Sequence, residues 1–200
     1  KGKTPIFVGG TGLYFQSLLN GLAEVPKIPK KTKNKVRKLH EKLGQKNFYK
    51  ALKKIDKKIK KNFDPQDSQR SIRAYEVKIH TKKSLYDWFK ETKPTFKKNN
   101  FIKYYLIHEK KSLLKRIEKR VNLMFKKGAV DEVEKVKKQN ISKDSSCNKI
   151  IGYMEIKNYL NGKLNLKDTK EKMIIKTRQY AKRQNTWYNS RMRDWEILKF

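Results

Sequence analysis

Residues 5–14 read PIFVGGTGLY. An apolar, partly β-branched run breaks at Gly9-Gly10, Thr11 supplies a hydroxyl, and residues 13–22 carry apolar side chains at helical spacing. This order predicts a strand over residues 6–8 that stops at a phosphate-sized gap before a helix. A helix start offers unpaired N–H groups and the positive end of its dipole to an anion or a polar substrate. Gly9 and Gly10 let the backbone come close where a Cβ would not fit. Strand–glycine–helix turns recur throughout α/β proteins and most bind nothing, so this stretch alone leaves both readings open.

The 200 residues suit one domain, or a core with an inserted lobe, and 36% hydrophobic residues allow a real core. The 53 Lys+Arg against 19 Asp+Glu give a formal charge of +34. Phosphate neutralisation makes a nucleic acid the natural partner for such a chain. Against this, the lysines run through every segment beside many asparagines, as in residues 30–38 and 53–61. A drift of composition would also charge faces that touch nothing. Cys147 is the one cysteine, which excludes an internal disulfide and a cysteine-rich zinc site. His40, His80 and His108 show no metal spacing, so no metal ligands are expected in this chain. No apolar run approaches the ~20 residues of a membrane span. No signal peptide precedes the first strand, and the expected setting is the cytoplasm. The chain opens at Lys1 almost directly on that strand, and it is expected to be the C-terminal part of a larger protein.

Pro26 and Pro29 mark a boundary after the first helix. From Thr32 the sequence turns helical and polar, with one apolar edge at Val36 and Leu39 and another at Phe48, Leu52 and Ile55. The Phe63-Asp64-Pro65 step interrupts it, because the residue before proline avoids the helical region. Asp67 or Ser68 is expected to cap a helix running to about Thr81, and residues 84–90 a short one. Residues 101–108, FIKYYLIH, read as a strand covered on both faces. Helices are expected over 110–127, stopped by Gly128, then over 129–139, 147–160 and 167–191, with a polar loop at 140–146 and a last strand at 195–200. The predicted class is α/β with a large helical share.

Four constellations carry possible chemistry. Gln69, Arg70 and Arg73 fall in the first turns of one helix, where arginine forks suit phosphates and glutamine suits a base edge; a solvated face with Arg73 paired to Glu76 or Asp67 is the competing account. Arg116 and Arg120 border an apolar stripe, placed to reach a cleft or to snorkel. Residues 148–153, NKIIGY, put a cation and Gly152 on one turn of a predicted helix; a glycine inside a helix costs roughly 1 kcal/mol against alanine, which points to a close approach of helix or ligand. In residues 177–188, TRQYAKRQNTWY, helical projection gathers Tyr180, Arg183, Gln184, Trp187 and Arg191 on one side, with Arg178, Lys182, Asn185 and Asn189 opposite. Cations interleaved with aromatics suit backbone contact plus stacking on unpaired bases. A core role for Tyr180 and Trp187 competes with it.

GGTGLY, QDSQRSIRAYEV, KIIGYMEI and TRQYAKRQNTWY, in this order and at these separations, resemble the tRNA dimethylallyltransferase family, the isopentenyl-tRNA transferases. The resemblance runs from Pro5 to about Arg193. It implies a partial P-loop NTPase-like core with a helical insertion lobe: residues 1–26 in the core, 27–97 as a tRNA-contacting lobe, and 98–200 as the remaining core and C-terminal helices. It implies transfer of a dimethylallyl group from dimethylallyl diphosphate to the exocyclic amine of the adenosine 3′ of the tRNA anticodon. Thr11 matches the family's threonine beside the target nucleotide, a catalytic and tRNA-binding position. Lys33 falls where an arginine touching tRNA is common. Gln69, Arg70, Ser71, Ile72 and Arg73 match the QRxxR segment that contacts tRNA. Lys149, Ile150, Ile151, Gly152, Tyr153 and Met154 match a stretch that usually begins with arginine and contains GY, and the resemblance implies that they bind tRNA. Lys182, Arg183, Gln184, Asn185, Thr186, Trp187, Tyr188 and Asn189 match the KRQxTW segment, and the resemblance implies that they bind tRNA. Gly9, Gly10, Arg116 and Arg120 are the candidates for contact with the diphosphate.

The family resemblance also implies Mg²⁺, held mainly by a GxTxxGKS loop and an aspartate in a DSxQ segment. Neither pattern occurs in these residues. The enzyme is therefore expected to be the longer parent, with this chain inactive alone. Lysine at 33 and 149 lacks the bidentate fork of arginine. The expected partners are a tRNA anticodon stem-loop and dimethylallyl diphosphate, with no membrane, and the chain a monomer. A non-catalytic RNA-binding module and a fragment of a P-loop nucleotide kinase or ATPase are the alternatives.

Overall fold

The computed structural model describes residues 2–61, 64–139, 141 and 145–199, leaving aside the side chains of residues 60, 61 and 98. Phe63, Phe200 and most of the expected 140–146 loop lie outside them. Two compact units divide the chain, one of residues 13–101 and one of residues 1–12 with 102–200.

The unit of residues 13–101 is helical. Helix α1 (Gly12–Asn20) is followed by α2 (Lys30–Ile55), α3 (Ser68–Thr81) and α4 (Leu85–Glu91). The sequence gives α2 two apolar edges because the helix is kinked. Gly44, with φ 67° and ψ 164°, interrupts the helical backbone between Val36 and Phe48. Asp67 caps α3 by accepting from Arg70 N–H, as its spacing predicts. Ser84 caps α4 in the same way. The core gathers Tyr49 and Leu52 of α2, Ala74 and Val77 of α3, Leu85, Ile28 and Ile59. Phe48 is fully buried, with the Tyr75 ring 5.0 Å away and His40 edge-on at 5.0 Å.

The other unit holds the chain's regular sheet among the described residues. Strand β1 (Tyr104–Ile107) pairs in parallel with β2 (Glu196–Lys199), Tyr105 opposite Ile197. Parallel neighbours need a long crossover, supplied by α5 (Lys110–Lys126), α6 (Ala129–Lys138), α7 (Tyr153–Leu160) and α8 (Leu166–Arg191). Gly128, at φ 88°, ends α5 and opens α6. Val121, Val133, Tyr153, Ile156 and Met173 form the core. Tyr105 and Tyr188 stack at 3.6 Å with their planes 4° apart, joining β1 to α8. Burial pushes the Tyr105 phenol pKa up, helped by Tyr188.

Three expectations need correction. Residues 6–8 form no strand: Ile6 and Val8 are 86% and 87% exposed, and the sheet is the β1–β2 pair. A short apolar run does not make a strand where backbone N–H and C=O groups find no neighbouring strand. Residues 101–108 yield only four strand residues, and Tyr104 and Leu106 are exposed, so β1 is not covered on both faces. Residues 147–160 are not one helix. A short turn over Ser146–Lys149 ends in extended Ile150, and α7 begins only at Tyr153. Gly152, at φ 104°, cannot continue a right-handed helix; it sits at the N-terminal cap of α7 and not inside a helix.

Candidate RNA-facing site

Residues 2–9 are exposed and irregular, and the GGTG turn that follows is held from the far end of the chain. Gln184 Nε2 of α8 donates to the Gly10 carbonyl at 2.8 Å, across 174 residues. One helical turn on, the Trp187 indole lies directly against Gly12: a Cβ there would fall 2.1 Å from Cδ1 and Nε1. Thr11, between the two contacts, is half-buried. Two sequence motifs read separately thus meet at one place. The sequence signal for this contact is Gly12, where no larger side chain fits beside the indole.

The rest of the KRQNTW segment divides by face. Lys182, Arg183, Asn185, Thr186 and Asn189 are exposed, and the Arg183 guanidinium stands 5.7 Å from the Tyr180 ring centre. Tyr188 is buried under Tyr105 and turned away from solvent. Trp187 is half-buried, and its indole N–H is buried without a hydrogen-bond partner among the described residues.

Around Gly152 the arrangement is structural at its base and open at its edge. Lys149, Ile150 and Met154 are exposed, Ile151 is half-buried, and Gly152 and Tyr153 are buried. Glu155 accepts the Gly152 N–H at 2.9 Å and pairs with Lys176 of α8. Burial pushes the Glu155 carboxyl up, but the hydrogen bonds from Lys176 and Gly152 outweigh it and hold it below the usual carboxylate range. Neither Glu155 nor Lys176 was singled out in the sequence, since a carboxylate and a lysine 21 residues apart carry no local pattern.

In the helical unit, Lys33 is half-buried in the first turn of α2. Gln69 and Arg70 are exposed on α3 and Arg73 is half-buried. Arg70 pairs with Asp67 at 3.2 Å and Arg73 with Glu76 at 3.8 Å, the competing account of that face. Ser71 is fully buried, 3.2 Å from Gln45 Nε2, and Ile72 is half-buried beside it.

Arg116 and Arg120 are exposed on α5 beside buried Ile117 and Val121. Between β1, α5 and α8 opens a cleft of about 800 Å³, with Leu113, Ile117 and Ile175 among its apolar walls and Arg178 and Lys182 among its cations. Arg178 had only its helical face to mark it in the sequence. Among the described residues no three His, Cys, Asp or Glu side chains come together to hold a metal ion, so these residues do not by themselves fit Mg²⁺. No helix among them is long and apolar enough to cross a membrane.

A family model described as IPP transferase matches residues 1–191. A tRNA dimethylallyltransferase of Pelagibacter ubique is 52% identical over 195 residues, covering 98% of this chain and 62% of that protein. One from Rickettsia massiliae is 40% identical over 204 residues, covering 100% of this chain and 55% of that protein. The chain thus spans less than two thirds of these relatives' length. Among solved structures, a tRNA isopentenylpyrophosphate transferase of Staphylococcus epidermidis matches 99% of this chain and 64% of its own, with 33% identity and a TM-score of 0.56. A eukaryotic dimethylallyltransferase solved acting on tRNA matches 96% of this chain and 50% of its own, with 29% identity and a TM-score of 0.71.

Proposed function

This chain belongs to the IPP transferase family, and from that premise we propose that it is part of an enzyme that moves a dimethylallyl group from dimethylallyl diphosphate to tRNA. The acceptor is the exocyclic amine of the adenosine 3′ of the anticodon. The nitrogen attacks the first carbon of the prenyl chain; the C–N bond forms as the C–O bond breaks, diphosphate leaves, and the amine proton passes to a base. The observation that carries this reading is the joining of the GGTG turn to the KRQNTW helix through Gln184 and Gly10. It brings the turn that carries Thr11 against the α8 face that carries Gln184 and Trp187, within one unit.

The adenine has to leave its stack to react, and contacts to neighbouring nucleotides offset that cost. Thr11 is assigned to the target nucleotide, with Lys149 and the α8 cations on the phosphates. Lys33, Gln69, Arg70 and Arg73 are assigned to the stem-loop from the helical unit. Gly9, Gly10, Arg116 and Arg120 remain the candidates for the diphosphate. Mg²⁺ is proposed as a cofactor of that enzyme, with its principal site outside these residues. A P-loop NTPase-like core, a monomeric state and a cytoplasmic setting complete the proposal. The test is transfer of labelled dimethylallyl diphosphate to tRNA by a protein containing these residues, with and without Thr11→Ala. Label in the adenosine 3′ of the anticodon, sharply reduced by the substitution, is the expected result. No label in tRNA would overturn the assignment.

A further inference from the structure

We propose that Gln184 and Trp187 are positioning residues: they hold the turn over residues 10–12, and with it Thr11. The inference rests on the reading above that Thr11 adjoins the target adenosine. Gln184 and Trp187 are three apart and share one face of α8. Gly10 and Gly12 are two apart in the turn, so the two contacts bracket Thr11. Neither glycine has a positive φ, so their backbone conformation does not require glycine. What excludes a side chain is α8 itself. A Cβ on Gly10 would sit 2.0 Å from Gln184 Nε2, the end of a flexible chain that can swing aside at the loss of one hydrogen bond. A Cβ on Gly12 would meet the Trp187 ring at 2.1 Å, and a rigid half-buried indole has no such escape. The Trp187 ring puts its N–H edge, buried, against the turn. Glycine at 12 and tryptophan at 187 are therefore two halves of one fitted contact.

The test is a double-substitution cycle on the chain: unaltered, Gly12→Ala, Trp187→Leu, and both together. Two quantities are read. One is hydrogen exchange of the peptide carrying residues 10–18. The other is the ratio of affinities for two anticodon stem-loops, with adenosine or an abasic site 3′ of the anticodon. Each single change is expected to speed the exchange and lower the ratio by about tenfold, and the double change to recover most of both, because contacting residues are non-additive. Trp187→Phe, which keeps a ring edge on Gly12, is expected to retain the ratio. Gln184→Leu removes only the hydrogen bond and should speed exchange with the fold intact, which keeps the test open if Trp187→Leu misfolds. Unchanged exchange in Trp187→Leu, or in Gln184→Leu where the former misfolds, overturns the proposal, as does a double variant whose losses simply multiply. Absence of any adenosine preference in the unaltered chain would instead sink the reading of Thr11, with exchange alone then deciding whether α8 holds the turn.

Discussion

Gly152 and Glu155 show how much a single residue decides. With φ at 104°, position 152 is strained for any L side chain, and a Cβ there would also meet Met173 Cε at 2.7 Å. Gly152→Ala is expected to lower stability by about 1–3 kcal/mol. Shortening Met173 to Val should not restore it, because the backbone strain persists; denaturant midpoints of the two variants check this. Glu155 has a pKa below the usual 4.5, so it binds fewer protons folded than unfolded. Its contribution to stability is full above about pH 4.5 and disappears as the pH falls through its folded value. Glu155→Gln should therefore destabilise at pH 7 and flatten the acid limb of stability below about pH 4.5. An acid limb of unchanged slope would show that Glu155 is not among the groups that drive it. The sequence marked Gly152 as special but for the wrong reason: a glycine among apolar residues looks like a helix contact until Ile150 is seen to be extended.

At the scale of elements, the helices were legible and the strands much less so. Asp67, Gly128 and the period of α8 are local signals, and local signals fix helix ends because capping is a matter of adjacent residues. A strand depends on a partner far away in the chain, so residues 6–8 looked right and formed none, while 196–199 found β1 across 92 residues. The Gly44 kink was half legible, as a change of apolar edge along α2. Nothing lies within 4 Å of a Cβ built at Gly44, so Gly44→Ala would suffer only from its φ of 67°. It is expected to cost about 1–3 kcal/mol, with Gly44→Asn costing as much because ψ of 164° lies outside the left-handed helical region that Asn tolerates, as read from thermal unfolding. Equal stability of all three would show that the kink is not held in the folded state. The site was legible as motifs but not as an assembly. Spacing named Thr11 and Trp187, yet only the structure puts the tryptophan on Gly12.

For the whole molecule, the charge of +34 takes on a pattern. Lys31, Lys35, Lys38 and Lys42 project within a narrow arc of α2 opposite buried Val36, and all four are exposed. None has a carboxylate partner among the described residues, whereas Arg70 and Arg73 do. If phosphate contact explains the lysines, changing these four to Gln should flatten the dependence of RNA affinity on salt by up to about 0.7 per lysine. Changing Arg70 and Arg73 to Gln should flatten it less per charge. Slopes that do not move would assign the α2 lysines to composition.

The central claim is that the GGTG turn and the KRQNTW helix make one adenosine site. Binding of the chain at moderate salt to two anticodon stem-loops, alike except for adenosine or an abasic site 3′ of the anticodon, tests it most directly. The account predicts tighter binding of the adenosine stem-loop, with the preference surviving as salt rises. Equal affinities that fade together with salt would contradict it, leaving a basic surface without a base site.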